Sequence, residues 1–319
     1  DFYSAEEKAI CSIAVGMGIA MLYFYVVSLF GVASLLMTAV FFTAPLILGR
    51  ASLLTLIAYT KKRLIIAVPV RRSWPQERRT LIFVLIALFG ILLFMNNASP
   101  GHIDGDSLHT YYNIPKRIAE TGHIVVFPYF PLNNASLASS YLYLPLMQLG
   151  ESYIQFINVV LFLLLVASIY IVTKQYFDER SAYYAALIFL TVDLLMFLAV
   201  SVESEYMLMF LVFWSIILLK KSVEQKKYRW SVLSGLCMGF AIAVKYNALI
   251  AFVGCAIVLL ISIISGTTSR RIMGKVLFFF CSGVILALIP WSVRSIILFG
   301  SPLYPFMPWG TLLSHGGEA

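Results

Sequence analysis

The sequence predicts an all-α fold, a polytopic bundle of transmembrane helices. Apolar residues make up 61% of the 319 residues and charged residues only 12%, far from the roughly one half and one quarter that are usual in a soluble domain. Several windows approach the roughly 20 apolar residues with which a helix crosses a bilayer. Since none of them shows the ten-residue alternation of a transmembrane barrel, the sequence indicates helical spans.

The apolar windows predict about nine spans. In chain order they are 8–29, 32–49, 80–97, 152–173, 182–200, 206–219, 231–244, 247–265 and 276–293. Two of them, 206–219 and 231–244, are short for a full crossing, so we expect them to be tilted, locally broken or lengthened into their flanks. Residues 1–79 would then form a hairpin and a basic segment on the cytoplasmic lipid surface. Residues 80–319 would form the core, with a long loop at 98–150.

The lysines and arginines indicate which way the bundle faces. The formal net charge is +8. Most of the 23 basic residues fall in every second loop between the predicted spans, so that they lie on one side of the membrane. By the positive-inside rule those loops face the cytoplasm, so the loop 98–150, the link 201–205 and the residues after about 293 face outward. We therefore expect a protein of the plasma (inner) membrane. A nucleic-acid surface is excluded, because it would need basic clusters with aromatic platforms on a folded soluble unit.

The outward loop begins with the polar stretch HIDGDSLHTYY, residues 102–112. Asp106 is expected to cap a short interfacial helix that Gly122 ends. Pro115 either kinks that helix or starts a second turn with Asn113 as its cap. The apolar stripe of the helix would consist of Leu108, Tyr111, Tyr112, Ile118 and Ala119.

Four further charged residues are predicted to reach the same side of the membrane. They are Glu203, Glu205, Lys245 and Arg294. Taken singly, these residues have ordinary explanations. The Lys245 side chain could extend to the membrane interface, Arg294 could anchor its helix at that interface, and Glu205 could cap the next helix. Together with the acidic pair of the loop, however, they bring four carboxylates and two cations to one layer. Ionisable groups near membrane depth are candidates for a functional site.

Histidines beside the acids raise the question of a metal ion. His102 and His109 flank Asp104 and Asp106, and all of these side chains can bind a divalent cation. The stretch contains no tight repeat such as His-x-x-x-His, so the sequence favours no structural zinc and leaves a weakly bound catalytic cation open. We assign Asp193, inside the fifth predicted span, a buried and hydrogen-bonded structural role.

Four segments in order resemble one family. The sequence DGDSLHTYYNIPKRIAETGHI resembles the first outward loop of GT-C glycosyltransferases, polytopic enzymes that use polyprenyl-phosphate sugars. SVESEYMLMFLVFWSIILL is similar to their second acidic turn, GLCMGFAIAVKYNALI to their glycine-rich helix, and IPWSVRSIILFGSPLYPF to their Pro-Trp and Tyr-Pro segment. The resemblance covers about residues 80–308. In architecture these enzymes are similar to protein O-mannosyltransferases and lipid A aminoarabinose transferases.

The resemblance implies an inverting transfer from a polyprenyl-phosphate sugar to an extracytoplasmic acceptor. Asp106 corresponds to the catalytic aspartate of the family, with Asp104 as the alternative. Lys245 and Arg294 would hold the donor phosphate. The remaining polar residues, Glu203, Glu205 and His109, would support the acids, the acceptor or a metal ion.

Two other functions stay in view. GT-C enzymes generally continue with more helices after the Tyr-Pro segment, whereas this sequence ends soon after it. A partner membrane subunit could supply the acceptor half, or the chain could be a non-catalytic scaffold subunit. A secondary transporter ranks last, because the sequence shows no internal repeat and its polar residues gather at one surface.

Overall fold

The computed structural model describes residues 4–48, 76–97, 107–127, 133, 137–265, 269–302 and 304–305. Within these ranges the regular structure is helical and no strand is present. The α-helices are α1 (Ala5–Leu29), α2 (Leu35–Leu48), α3 (Gln76–Asn97), α4 (Asn113–Thr121), α5 (Ser139–Leu149), α6 (Phe156–Tyr176), α7 (Glu179–Leu190), α8 (Asp193–Val200), α9 (Glu205–Gln225), α10 (Tyr228–Val244), α11 (Ala248–Ser265) and α12 (Arg270–Phe299). A π-helix, Ser107–Tyr112, runs directly into α4.

Five of these helices are long and apolar enough to cross a membrane, namely α1, α6, α9, α11 and α12. The pair α7 and α8 makes a sixth span if the two helices are counted together. Shorter apolar helices cover residues 35–44 and 82–94 and the whole of α10. Each predicted span thus coincides with a described helix or helix pair. Among the described helices, length and composition support five or six full crossings, and the number of nine stays a prediction.

The two spans that the sequence marks as short differ in outcome. The span predicted at 206–219 is lengthened at both ends into the 21 residues of α9. The span predicted at 231–244 forms α10, which has 17 residues and ends where Lys245 adopts an extended backbone. Lys245 therefore follows directly after the buried last turn of α10.

The fifth predicted span, 182–200, is broken rather than continuous. Thr191 and Val192 separate α7 from α8, and the two helices are bent by 66°. Asp193 begins α8, where the partial positive charge of a helix N-terminus stabilises a carboxylate. Its side chain is exposed at the surface of the bundle, so the predicted buried role of Asp193 is wrong.

Glycines let α10 and α12 pack backbone against backbone. A Cβ atom added to Gly235 would lie 2.1 Å from the carbonyl oxygen of Phe280, and one on Gly239 would lie 2.6 Å from that of Val284. From the other helix, a Cβ on Gly283 would lie 2.4 Å from the carbonyl oxygen of Val232. Small residues spaced four apart are typical of such close helix pairs in membranes. The contact fixes α10 against the helix that carries Arg294.

Buried polar side chains connect α9 to its neighbours. The Ser215 hydroxyl donates to the carbonyl oxygen of Ser234 at 2.9 Å, and the Ser234 hydroxyl donates to that of Ser215 at 2.7 Å. The indole N–H of Trp214 donates to the Ser168 hydroxyl at 3.2 Å. Hydrogen bonds between membrane helices contribute about 0.6 kcal/mol each, so these links add modestly to the packing that holds α9 in place.

Candidate functional site

Three separate segments meet around the side chain of Lys245. Lys245 follows α10, and its ammonium donates to the Oε1 atom of Glu205, the first residue of α9. The same ammonium lies 5.9 Å from the ring centre of Tyr111, which belongs to the π-helix. The Lys245 side chain is 32% exposed and that of Glu205 21%. A partly dehydrated ion pair therefore forms at this end of the bundle, beside a buried tyrosine.

The neighbours of Lys245 determine its pKa. Burial by itself lowers the pKa of the ammonium, but the hydrogen bond to Glu205 and the nearby Tyr111 hydroxyl outweigh it, so that the pKa lies above its ordinary value. Burial raises the pKa of the Tyr111 hydroxyl, and Ser204 and Lys245 offset part of that rise. At neutral pH, Lys245 is thus a charged ammonium next to the neutral hydroxyl of Tyr111.

The second oxygen of Glu205 has a different environment. Its Oε2 atom is buried and has no hydrogen-bond partner among the described residues. Buried acceptors without a partner are uncommon, because the lost contact with water costs about 1–3 kcal/mol. This oxygen could accept a hydrogen bond from a bound hydroxyl group or bind a cation.

Two buried side chains hold the short link that carries Glu203 and Glu205. The Tyr143 hydroxyl donates to the carbonyl oxygen of Glu203 at 2.5 Å, and the Asn158 amide donates to the same oxygen at 2.8 Å. Asn158 also donates to the carbonyl oxygen of Ser201 at 2.6 Å. Because Tyr143 and Asn158 are fully buried, the start of α9 is held from within the bundle.

Arg294 lies among aromatic side chains from α1, α5 and α12. Tyr25 and Trp291 have ring centres 4.5 Å apart, and Tyr25 meets Tyr141 edge to face at 5.3 Å. The Tyr25 hydroxyl donates to the carbonyl oxygen of Pro290 at 3.2 Å. Burial raises the pKa of Tyr141 to about 12, although the charge of Arg294 acts in the opposite direction. The Arg294 guanidinium is therefore close enough to Tyr141 for its positive charge to oppose the rise in the pKa of that hydroxyl.

Helix α5 connects the environments of the two cations. Tyr141 lies by Arg294, whereas Tyr143, two residues further along, binds the link at Glu203. The N–H of Ala138 donates to the carbonyl oxygen of Ala243 at 2.9 Å, which ties the start of α5 to the end of α10 just before Lys245. The structure thus brings Lys245, Glu205 and Tyr111 into direct contact. Arg294 is connected to this group by α5, which carries Tyr141 beside Arg294 and Tyr143 beside the Glu203 link.

The predicted acidic pair, Asp104 and Asp106, lies outside the described residues, as does His102. In sequence, Asp106 immediately precedes Ser107, the first residue of the π-helix that presents Tyr111. No group of three metal-binding side chains occurs in the described parts of the chain, and His109 is exposed there. The carbonyl oxygen of His109 accepts from the Asn133 side chain at 2.8 Å.

The loop helix follows the prediction in part. Gly122 ends α4 in the left-handed conformation, with φ at 75°. Asn113 is not a cap, because the π-helix continues into α4 without interruption and its last residue, Tyr112, is already helical. The tyrosines of the predicted apolar stripe also have polar roles, since the Tyr112 hydroxyl donates to Glu151 and Tyr111 lies by Lys245.

Sequence reasoning missed the two residues that hold the acidic link. Asn158 stands in the apolar run FINVVLFLLL, and a polar residue at such a position is a recognised sign of a specific role inside a membrane protein. Tyr143 has no comparable sign, because an aromatic residue in an amphipathic loop segment predicts only burial.

The sequence comparison bears on the same region. Residues 140–294 match the family model of dolichyl-phosphate-mannose-protein mannosyltransferases. This match confirms the resemblance to GT-C glycosyltransferases. It covers just under half of the chain, includes Glu203, Glu205 and Lys245, and ends at Arg294. No curated protein and no solved structure matches the chain significantly.

The match and the helices agree on the general class. The family consists of membrane glycosyltransferases that use polyprenyl-phosphate sugars. The apolar helices of the described ranges identify an integral membrane protein.

Proposed function

We propose that the chain transfers a sugar from a polyprenyl-phosphate donor to an acceptor on the extracytoplasmic side of the plasma membrane. The observation that carries the proposal is the contact of Lys245 with Glu205 and Tyr111 at the end of the bundle away from the basic loops. A membrane-borne donor phosphate and an acceptor from outside would meet at this layer. The proposal uses residues of the matched region and of the loop that precedes it.

The donor phosphate is assigned to the two cations. An ammonium has three donor hydrogens, so Lys245 can keep its bond to Glu205 and still donate to a phosphate oxygen. Arg294 adds a planar guanidinium suited to the same oxygens. When the bond between the anomeric carbon and the phosphate oxygen breaks, its electron pair stays on the phosphate. The cations would stabilise that growing charge.

The acidic side chains are assigned to the acceptor. Its oxygen attacks the anomeric carbon from the face opposite the phosphate, which inverts that centre, and its proton passes to a carboxylate. We assign this role to Asp106, with Asp104 as the alternative. The buried Oε2 atom of Glu205 is available to orient the acceptor hydroxyl or to bind a divalent cation. Glu203 and His109 are proposed to support this half of the site.

An apolar groove along the same helices suits the prenyl chain. A cavity of about 620 Å³ lies between α9, α11 and the start of α12, and Leu219, Val258 and Leu259 contribute to its walls. It begins near Ile216, about 16 Å along α9 from Glu205 at 1.5 Å per residue. A chain whose phosphate is bound at Lys245 could follow α9 and α11 into this space.

The first prediction tests the assigned base. In proteoliposomes supplied with polyprenyl-phosphate mannose, Asp106→Asn should reduce transfer by about 10²- to 10⁴-fold, the usual loss on removing a general base. Protein stability should change little, because asparagine caps a helix about as well as aspartate. The measurement is sugar transfer per reconstituted protein, together with the thermal midpoint in detergent.

Asp104→Asn is the matched control and should have a milder effect. If Asp104→Asn abolishes transfer and Asp106→Asn does not, the base is the other member of the pair. If neither variant alters transfer by a wild-type protein that is active, the assigned acid chemistry is wrong. If the wild-type chain itself transfers nothing but assembles with a partner membrane protein, the scaffold function replaces the enzyme.

A further inference from the structure

A groove opens between α1 and α10 at the end of the bundle opposite Lys245. Its volume is about 840 Å³, and Lys8 and Arg229 stand at its polar end. Val15, Ile19 and Leu233 supply its apolar walls. The groove adjoins the first residues of α10, whereas Lys245 follows the last one. The 17 residues of α10 separate the two places by about 25 Å, so this groove is not part of the candidate site.

The charged side chains that line the described part of the groove are both cations. Lys8 and Arg229 are exposed, and the Arg229 guanidinium lies 5.0 Å from the ring centre of Trp230. The neighbouring carboxylate of Glu7 points into the protein instead, where it forms a fully buried ion pair with Lys221 at 2.7 Å. Lys221 thus compensates the charge of Glu7, and the charged side chains that line the described part of the groove are Lys8 and Arg229.

The apolar walls continue from the cations into the membrane. Ser12, Val15 and Ile19 occupy successive turns of α1, so the groove extends about 10 Å along the helix axis from Ser12 to Ile19. Gly16 belongs to the same wall, and a Cβ atom added there would meet no atom within 4 Å. The space beside Gly16 is therefore open, with cations at the membrane surface and apolar side chains below them.

We propose that this groove binds an anionic phospholipid, with the headgroup phosphate at Lys8 and Arg229 and one acyl chain along Val15, Gly16 and Ile19. Two cations at the membrane surface match the charge of an anionic headgroup. The site is distinct from that of the sugar donor, whose phosphate is assigned to the opposite end of α10. Its occupancy does not depend on catalytic activity.

Native mass spectrometry of the full-length chain in detergent tests the headgroup contact. The probes are phosphatidylglycerol and phosphatidylcholine with identical acyl chains, titrated at equal concentration. The wild-type protein should retain phosphatidylglycerol preferentially. The variant Lys8→Gln/Arg229→Gln should lose about 25-fold of that preference, since each cation near a membrane surface contributes about a fivefold gain in affinity.

The matched control is Arg271→Gln/Lys275→Gln, which removes the same two charges from exposed positions at the start of α12. It should keep the preference for phosphatidylglycerol. Equal losses in both double variants would mean that the lipid responds to surface charge in general, and would overturn the groove. A wild-type protein without any preference would overturn it as well.

Gly16→Leu tests the acyl-chain part of the site. Because the added side chain enters open space, the fold should be retained while the groove is filled. Occupancy by both lipids should fall at least fivefold. Gly90→Leu is the control, since Gly90 is also a helical glycine with no atom within 4 Å of an added Cβ, and it lies on α3 outside the groove. Unchanged lipid binding in Gly16→Leu would contradict the proposed acyl-chain position.

Discussion

Glu205 acts against burial on the pKa of Lys245. Burial lowers the pKa of this ammonium, and the bond to Glu205 is the foremost of the contacts that bring it above the ordinary 10.5. A raised pKa means that the pair contributes its full stabilisation below about pH 10.5 and loses it as the pH rises through the pKa of the folded state. In the wild-type protein, Lys245 should therefore stay charged over the whole physiological range.

A second prediction follows at the residue scale. Glu205→Gln removes the carboxylate that raises the pKa of Lys245 and leaves the burial that lowers it. The fall of donor turnover at alkaline pH should then begin at a lower pH than in the wild-type protein. Turnover by proteoliposomes measured across pH 7–10 checks this. The control Glu120→Gln, which removes an exposed carboxylate paired with Arg117, should leave the alkaline limb unchanged. An identical alkaline limb in Glu205→Gln would show that Lys245 is not the group concerned.

At the scale of elements, the contact between α10 and α12 carries the arrangement of the cations. Gly235, Gly239 and Gly283 allow the two backbones to touch. The two helices end near Lys245 and at Phe299, five residues beyond Arg294. The hydrogen bond from Ala138 to Ala243 then adds α5 to this pair. The candidate site thus depends on glycines within the spans predicted at 231–244 and 276–293.

The third prediction concerns that contact. Gly235→Ala places a methyl group within 2.1 Å of the carbonyl oxygen of Phe280, which is backbone and cannot turn aside. Overpacking of this kind should cost about 1–3 kcal/mol of unfolding free energy. Gly274→Ala adds the same methyl group to α12 where no atom lies within 4 Å, and it should be neutral or slightly stabilising. Unfolding in mixed micelles compares the two, and equal stability would refute the close contact.

The sequence predicts the existence of these elements better than their interruptions. Long apolar runs produced helices at every predicted span, because burial in lipid requires internal backbone hydrogen bonds. The break at Thr191 and Val192 has no proline or glycine to announce it and depends on how α7 and α8 pack against their neighbours. Helix α5 was not predicted, since it lies in a loop and contains Pro145.

At the scale of the whole molecule, the orientation of the bundle decides whether the site can meet an outside acceptor. The fourth prediction uses single cysteines in a background without Cys11, Cys237, Cys255 and Cys281. Thr121→Cys, at the exposed end of α4, should react with a membrane-impermeant maleimide in intact cells. Lys227→Cys, between α9 and α10, should react only after the cells have been permeabilised. The reverse pattern would place the site in the cytoplasm.

The sequence also predicted that charged residues of the candidate site share one layer, whereas the roles assigned to them stay predictions. Glu205 and Lys245 were placed in one layer by the alternation of basic loops, and the structure brings them into contact. The contact of Tyr111 with Lys245 and the hold of Tyr143 and Asn158 on the acidic link could not be predicted. They depend on how α5 and the π-helix pack on the bundle, which no local pattern specifies.

The most direct measurement is the release of polyprenyl phosphate as the mannosyl group passes from polyprenyl-phosphate mannose to an acceptor hydroxyl. It compares the reconstituted wild-type protein with Lys245→Met and Lys116→Met. Loss of one charge-assisted contact to the donor, worth about 1.5–3 kcal/mol, should slow release by Lys245→Met about 10- to 150-fold. Lys116, a partly exposed lysine paired with Glu151 at 2.8 Å, should be replaceable without loss. If Lys245→Met releases polyprenyl phosphate at the wild-type rate, Lys245 does not hold the donor, and the account of the site is wrong.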